Sequence, residues 1–316
     1  MAGTKIAIKR PVSPQSVGGC GLGHHLQLRD ELTKTVASIV ALYLVRPIRD
    51  AFLTIARRHP VRVFTFHRVS DRYTDPLTIS RARFSEFLEF VRRSHDVVSL
   101  EEAIKLVMSG ARLRRPAAAI TFDDGYYNNF SEAFPSLMKY GFSATIFLAA
   151  GLIENGEVRK NIKSWHPETF LNWSEVCEMQ KAGIDFQSHG LYHKAFDVLS
   201  TEELEEELVV SKELIEKKID GNVTLIAYPF GRYSDKVKLA TKRAKYKGAC
   251  GGLPPADESA NAFSDFYEIG RTEILGTDSV KKFKFKVRTG VTPAIFFRRK
   301  LGSFKRKVIL SHQTAI

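Results

Sequence analysis

The sequence predicts an α/β fold built on parallel strands. Three features point there. Short apolar runs recur along the middle of the chain, and amphipathic helical patterns lie between several of them. The 316 residues, with a hydrophobic content of 44%, are enough for one large domain with a sizeable core.

Taken in chain order, residues 1–28, with Pro11, Pro14 and several glycines, are expected to be disordered. Residues 29–60 form a helical extension, broken near Pro47 because proline lacks the N–H donor. Val36, Ile39, Val40, Tyr43 and Leu44 fall on a broad apolar face, which suits either packing on the next domain or a membrane surface. The apolar stretch 35–45 is too short for a spanning helix, which needs about 20 residues. Strand candidates follow at 63–67, 117–122, 144–149, 185–188, 224–228, 248–251 and 268–275. The clearest helices between them are 84–93 and 201–218, the second opened by a capping box of Ser200 and Glu203. These elements make up one domain over 61–280, followed by a C-terminal tail, 281–316.

Charge is unevenly placed. The chain carries a net +13, but residues 281–307 hold eleven Lys and Arg and no acid, and residues 1–62 add a net +7. The remainder is mildly acidic, so the domain itself is not a basic protein. The tail also interleaves Phe283, Phe285, Phe296, Phe297 and Phe304 with its cations. That mixture suits an anionic membrane surface. It also suits nucleic acid, but no nucleic-acid motif accompanies it. Cys20, Cys177 and Cys250 form no CxxC pair and leave an odd thiol, so no disulfide framework is expected. Residues 1–14 lack the long apolar core of a secretory signal. A cytoplasmic location is expected, peripheral on the inner face of the membrane if the tail binds there.

Two motifs carry chemistry. Thr121-Phe122-Asp123-Asp124-Gly125-Tyr126 places two adjacent carboxylates at the mouth of a buried strand. Their desolvation is offset by a bound cation or a raised pKa. Ser188-His189-Gly190-Leu191-Tyr192-His193 follows another short strand. Histidines four apart on a helical turn share a face, and two imidazoles with a carboxylate form a donor set suited to zinc, with positions left for water and substrate.

These motifs resemble those of the polysaccharide deacetylases, the carbohydrate esterase group with the NodB homology domain. Leu171-Asn172-Trp173-Ser174-Glu175-Val176 and Lys181-Ala182-Gly183 are similar to the family's approach to the histidine motif. Ile226-Ala227-Tyr228-Pro229-Phe230-Gly231 resembles its third motif. The resemblance covers roughly residues 61–275 and implies a distorted (β/α) barrel of about seven strands. Phe64-Thr65-Phe66-His67-Arg68-Val69 resembles the opening strand of the branch that acts on poly-N-acetylglucosamine. In that branch the motifs are permuted and an early histidine serves as the acid. One departure stands out. Where many members carry an arginine that orients the base aspartate, this chain has Ala227; Arg271 is the candidate to supply the guanidinium instead.

The resemblance implies metal-dependent removal of an N-acetyl group from an amino-sugar glycan. Asp124, His189 and His193 would hold the metal, with Asp123 as base and His67 as acid. Tyr228, Pro229, Phe230 and Arg271 would serve substrate and oxyanion. His312, in Ile309-Leu310-Ser311-His312, rivals His67 as the acid, and Trp165 and Trp173 are further stacking candidates for sugar. Two other readings are a deacylase or deformylase of a lipid-linked sugar and a non-catalytic carbohydrate-binding protein.

Overall fold

The computed structural model describes residues 51, 55–56, 59–155, 169–252 and 265–293. The expectations for residues 1–28 and for nearly all of the extension 29–60 fall outside the described residues. So do those for Trp165, for His312 and for the tail from residue 294 on.

Strands run as β1 (Val61–Phe66), β2 (Arg68–Val69), β3 (Thr78–Ile79), β4 (Asp96–Val97), β5 (Ala117–Phe122), β6 (Thr145–Leu148), β7 (Asp185–Ser188), β8 (Leu225–Ala227), β9 (Gly248–Gly252), β10 (Ile269–Gly270) and β11 (Thr272–Glu273). The helices that bear on the argument are α1 (Arg81–Ser94), α2 (Leu100–Met108), α3 (Phe134–Tyr140), α4 (Ala150–Glu154), α5 (Trp173–Lys181), α6 (Thr201–Ile219), α7 (Asp235–Arg243) and α8 (Val280–Thr289). Local chemistry sets their ends. Ser80, Ser99, Ser200, Ser234 and Ser279 each cap a helix through the side-chain oxygen, and the capping box of Ser200 and Glu203 forms as its spacing predicts.

The main sheet is parallel throughout, in the order β10-β9-β8-β7-β6-β5-β1-β11, with β4 added on β5. Its two ends are one segment. Only Arg271 separates β10, which pairs with β9, from β11, which pairs with β1, so the sheet comes round on itself. The count along the path is therefore eight, one more than the sequence suggests, because the candidate strand 268–275 divides at Arg271.

Strand alternation sorts the buried side chains into two layers. Phe64, Phe66, Ala118, Ile120, Phe122, Ile146, Leu148 and Ile226 join the larger cluster, with α1, α3, α5, α6 and α7. Val61, Val63, Ala117, Ala119, Phe147, Leu225, Ala227, Cys250 and Ile269 form the smaller one, closed by Leu100 and Ala103 of α2. The smaller cluster is the barrel interior. β1 and β5 are buried along their whole length, as expected for parallel strands covered on both faces.

The beginning of the expected tail is folded. Residues 280–289 are a helix, with Phe283 and Val287 in the large cluster and the Phe283 ring 5.9 Å from both Phe87 and Phe90. Lys286 is buried and bonds to Asp278 and to the Glu273 carbonyl. Lys282 also pairs with Asp278, and Lys284 with Glu86. The charge run conceals an i, i+4 apolar pair, so the tail boundary at 281 is too early. Among the described residues no helix is long and apolar enough to cross a membrane.

His95 ends α1, buried against Phe64, with Nδ1 2.8 Å from the Ser94 hydroxyl. Burial, aided by the charge of Arg62, pushes its pKa down to about 3. A group depressed in the folded state contributes stability above its unfolded pKa and loses it as pH falls toward the folded value. Between pH 6.5 and 5 the parent should therefore lose about 2 kcal/mol that His95→Gln does not lose. Urea unfolding of both chains across that range measures the difference.

Candidate active site and metal centre

The inward alternation that fills the barrel also builds the site. On β1, Val61 and Val63 lead to Thr65 and then His67. On β5, Ala117 and Ala119 lead to Thr121 and then Asp123. Asp185 and Gln187 lead to His189, and Ile269 leads to Arg271. The site is the top layer of the barrel interior, at the C-terminal ends of the strands, where such folds collect their chemistry.

Asp124 would point away by the same rule. Its backbone leaves the strand in the left-handed region, at φ 74°, followed by Gly125 at φ 75°. A short polar side chain tolerates that conformation. The turn brings both aspartates to one cleft of about 390 Å³, which also takes in His67, His189, His193, Tyr228, Phe230 and Arg271, with Leu77 and Glu273.

Arg271 meets Asp123 in a bidentate pair, Nη1 to Oδ1 at 2.6 Å and Nη2 to Oδ2 at 2.8 Å. Its Nη1 also lies 3.1 Å from the Thr65 hydroxyl and 3.4 Å from that of Thr121, and its guanidinium sits over the Phe147 ring. The guanidinium that Ala227 cannot supply thus comes from the closing strand. Burial pushes the Asp123 carboxyl up, but Arg271 and then His189 outweigh it, and the group is held below the usual carboxylate range. Each carboxylate oxygen keeps a second lone pair for another partner.

Asp124, His189 and His193 are all buried, and one ligand atom from each lies within 4.8 Å of the others. The Asp124 Oδ1 is 3.6 Å from His189 Nε2 and 3.1 Å from His193 Nε2. His189 Nδ1 is 2.8 Å from the Ala227 carbonyl, which requires the proton on Nδ1 and leaves Nε2 as a donor atom. Burial lowers the His189 pKa to about 4, so the ring stays neutral. Burial also pushes Asp124 up, but the neighbouring His193 outweighs it, and the carboxyl lies well below its usual value. One carboxylate oxygen and two imidazole nitrogens at this spacing fit a divalent cation of borderline softness.

His67 is half-buried at the end of β1, its carbonyl held by Asn129 Nδ2 at 2.9 Å. Phe230, also left-handed at φ 59°, is 62% exposed, with its ring edge-on to His193 at 4.6 Å. Tyr228 differs from the expectation of a substrate contact. It lines the cleft, but its ring is fully buried, stacked on Tyr233 and edge-on to Phe196. Pro229 lies buried beneath, opening a short 3-10 turn. Trp173 is not brought to the cleft; its indole bonds to Glu154 under Lys218. Sequence reasoning missed Thr65 and Thr121, which anchor Arg271, and the buried Glu207 of α6 behind the histidine loop.

Comparison with known proteins agrees with this geometry. The model of the polysaccharide deacetylase family matches residues 110–249. YxkH of Bacillus subtilis, provisionally named a polysaccharide deacetylase, is 26% identical over 71% of this chain and 75% of its own. The poly-beta-1,6-N-acetyl-D-glucosamine N-deacetylase of Staphylococcus epidermidis is 24% identical over 69% of this chain and 75% of its own. Among solved structures, the Streptococcus pyogenes deacetylase PplD in complex with acetate superposes with a TM-score of 0.63 at 22% identity, over 72% of this chain and 97% of that one. The polysaccharide deacetylase BC0361 of Bacillus cereus gives 0.57 at 26% identity, over 72% and 68%. Over residues 110–249 the chain matches the polysaccharide deacetylase family, and it is similar to such deacetylases in sequence and fold over about 70% of its length. It is accordingly a hydrolase of amide bonds, with a buried Asp-His-His set for a metal ion.

Proposed function

We propose that the protein removes the N-acetyl group from an N-acetylglucosamine polymer of the poly-N-acetylglucosamine type, with zinc as its metal. The observation that carries this reading is the juxtaposition of two sets of groups in one cleft: the ligand set Asp124, His189 and His193, and the Asp123 carboxylate held by Arg271. The Staphylococcus epidermidis relative supports the choice of polymer.

A divalent cation on the three ligands would polarise the acyl carbonyl and lower the pKa of water. Asp123, ionised and oriented by Arg271, takes the proton from the attacking water as general base. The developing oxyanion draws on the backbone N–H near Phe230. His67, facing the two aspartates from the end of β1, gives a proton to the departing amine nitrogen. Phe230, exposed at the rim, offers an apolar face to the sugar ring.

Acetate release from poly-N-acetylglucosamine oligomers, before and after chelation and on zinc restoration, tests the reading. A lipid-linked amino sugar with an acetyl or formyl group is the second substrate arm. Release from the lipid-linked sugar alone would replace the polymer; release from neither, with metal bound, would sink the proposal. His67→Ala should lower turnover at least ~100-fold with metal retained, the scale of a lost proton donor. His312→Ala should leave turnover unchanged, and the opposite result would transfer the acid role to His312.

A further inference from the structure

The loop that carries both histidines lies between β7 and α6 and has no regular pairing of its own. Its backbone groups still find partners. His189 N–H donates to the Leu148 carbonyl, and Gly190 N–H donates to the Ser188 hydroxyl. The carbonyls of Gly190 and Leu191 accept from Ala150 and Gly151 at the start of α4. Two further donors, Leu191 N–H and Tyr192 N–H, converge on one atom, the Oε2 of Glu207, at 2.7 and 2.9 Å.

Glu207 is 1% exposed, on the face of α6 that also buries Leu204, Leu208 and Ser211. An acid at that depth is expensive to bury without such bonds. One turn on, Ser211 bonds to the Ser188 hydroxyl at 2.9 Å, so two successive turns of the helix hold the end of β7 and the loop that follows it. The close approach requires Gly190. It sits at φ +81°, and a Cβ there would stand 2.9 Å from Glu207 Oε2 and 3.0 Å from the Phe196 ring. His193 itself is held in the left-handed region, at φ 55°, directly after the clamped residues.

We propose that Glu207 is the positioning residue of the metal centre: it fixes the peptide groups midway between His189 and His193 and so sets the separation of the two imidazole donors. This rests on the reading of Asp124, His189 and His193 as metal ligands. Glu207 touches neither ligand side chain; it acts through the backbone that joins them. Supports of this kind typically change metal affinity or activity by about 10–100-fold.

The test is the affinity of the full chain for zinc, by competition with a chromophoric chelator, for the parent, Glu207→Gln, Glu207→Asp and Glu207→Ala. The glutamine keeps an oxygen able to accept both N–H groups, and its affinity should stay close to the parent's. The aspartate is one methylene short of the loop, and both it and the alanine should bind zinc ~10–100-fold more weakly. Added zinc should restore turnover of the two weak variants with KM unchanged. A lowered melting temperature with parental zinc affinity in Glu207→Asp and Glu207→Ala would make Glu207 a packing residue only and overturn the proposal. If the alanine does not fold, the aspartate and glutamine, which differ in reach, decide it. A parent that holds zinc but releases no acyl group fails the functional reading alone. A parent with no measurable zinc affinity overturns both.

Discussion

Replacing Asp123 by asparagine should leave the metal in place and lower turnover by at least ~100-fold, the usual scale for a lost general base. The carboxylate is not needed to complete the ligand set, which Asp124 already serves. Its two oxygens are spoken for by Arg271 at 2.6 and 2.8 Å, so asparagine would set an amide N–H₂ against a guanidinium N–H. One of the two bonds is lost, and the negative charge that offsets a buried arginine goes with it. The variant should therefore also melt lower than the parent. Metal content, turnover and melting temperature of one preparation check all three points. Loss of metal with chemistry intact on reconstitution would exchange the roles of the two aspartates.

Replacing His189 or His193 by alanine should remove metal and turnover together, because either change leaves a carboxylate and one imidazole, too few donors to hold the cation tightly. The two variants should differ in stability. His189 is 2% exposed and bonded to the Ala227 carbonyl, so its loss opens a cavity and strands a buried acceptor. His193 lies nearer the rim, its ring against Phe230, and should cost the fold less. Metal analysis with acyl-release assays checks the first statement and thermal unfolding the second. Variants that keep stoichiometric metal and full turnover would remove these histidines from the site.

Much of this arrangement can be read in the sequence, for identifiable reasons. β5, β6 and β8 are short, largely apolar runs, and their buried positions need no long-range information to be recognised. Asp123, Asp124, His189 and His193 are recognisable because each pair is close in sequence and belongs to a residue type with few other uses at a buried strand end. Arg271 could be nominated only as a substitute for the side chain missing at Ala227. Its partner lies 148 residues away, and nothing local specifies that distance. β2 and β3 are two residues each, too short for any period to show, and rest on Asp75, which bonds to Arg68, Leu77 and Thr78. Glu207 reads as one more charge on an acidic helix; its position among Leu204, Leu208 and Ser211 was the available signal. Residues 280–289 read as tail because charge dominates their composition, while Phe283 and Val287 decide their packing.

The closing of the sheet at Arg271 bears on how the molecule comes to be competent. Synthesis proceeds from the N-terminus, so Asp123, Asp124, His189 and His193 all exist as chain long before residue 271 does. In that interval the Asp123 carboxylate has no guanidinium, and β1 and β9 present open edges of the kind that invite wrong partners. Docking of residues 269–273 ends both conditions in one event, pairing with β9 and β1 while delivering Arg271 to Asp123 and to Thr65, 206 residues earlier in the chain. Contacts of such separation are the slow ones in folding. Maturation of the active centre is therefore timed by the last strand to arrive, and a nascent chain arrested before it carries every metal ligand but no finished catalyst.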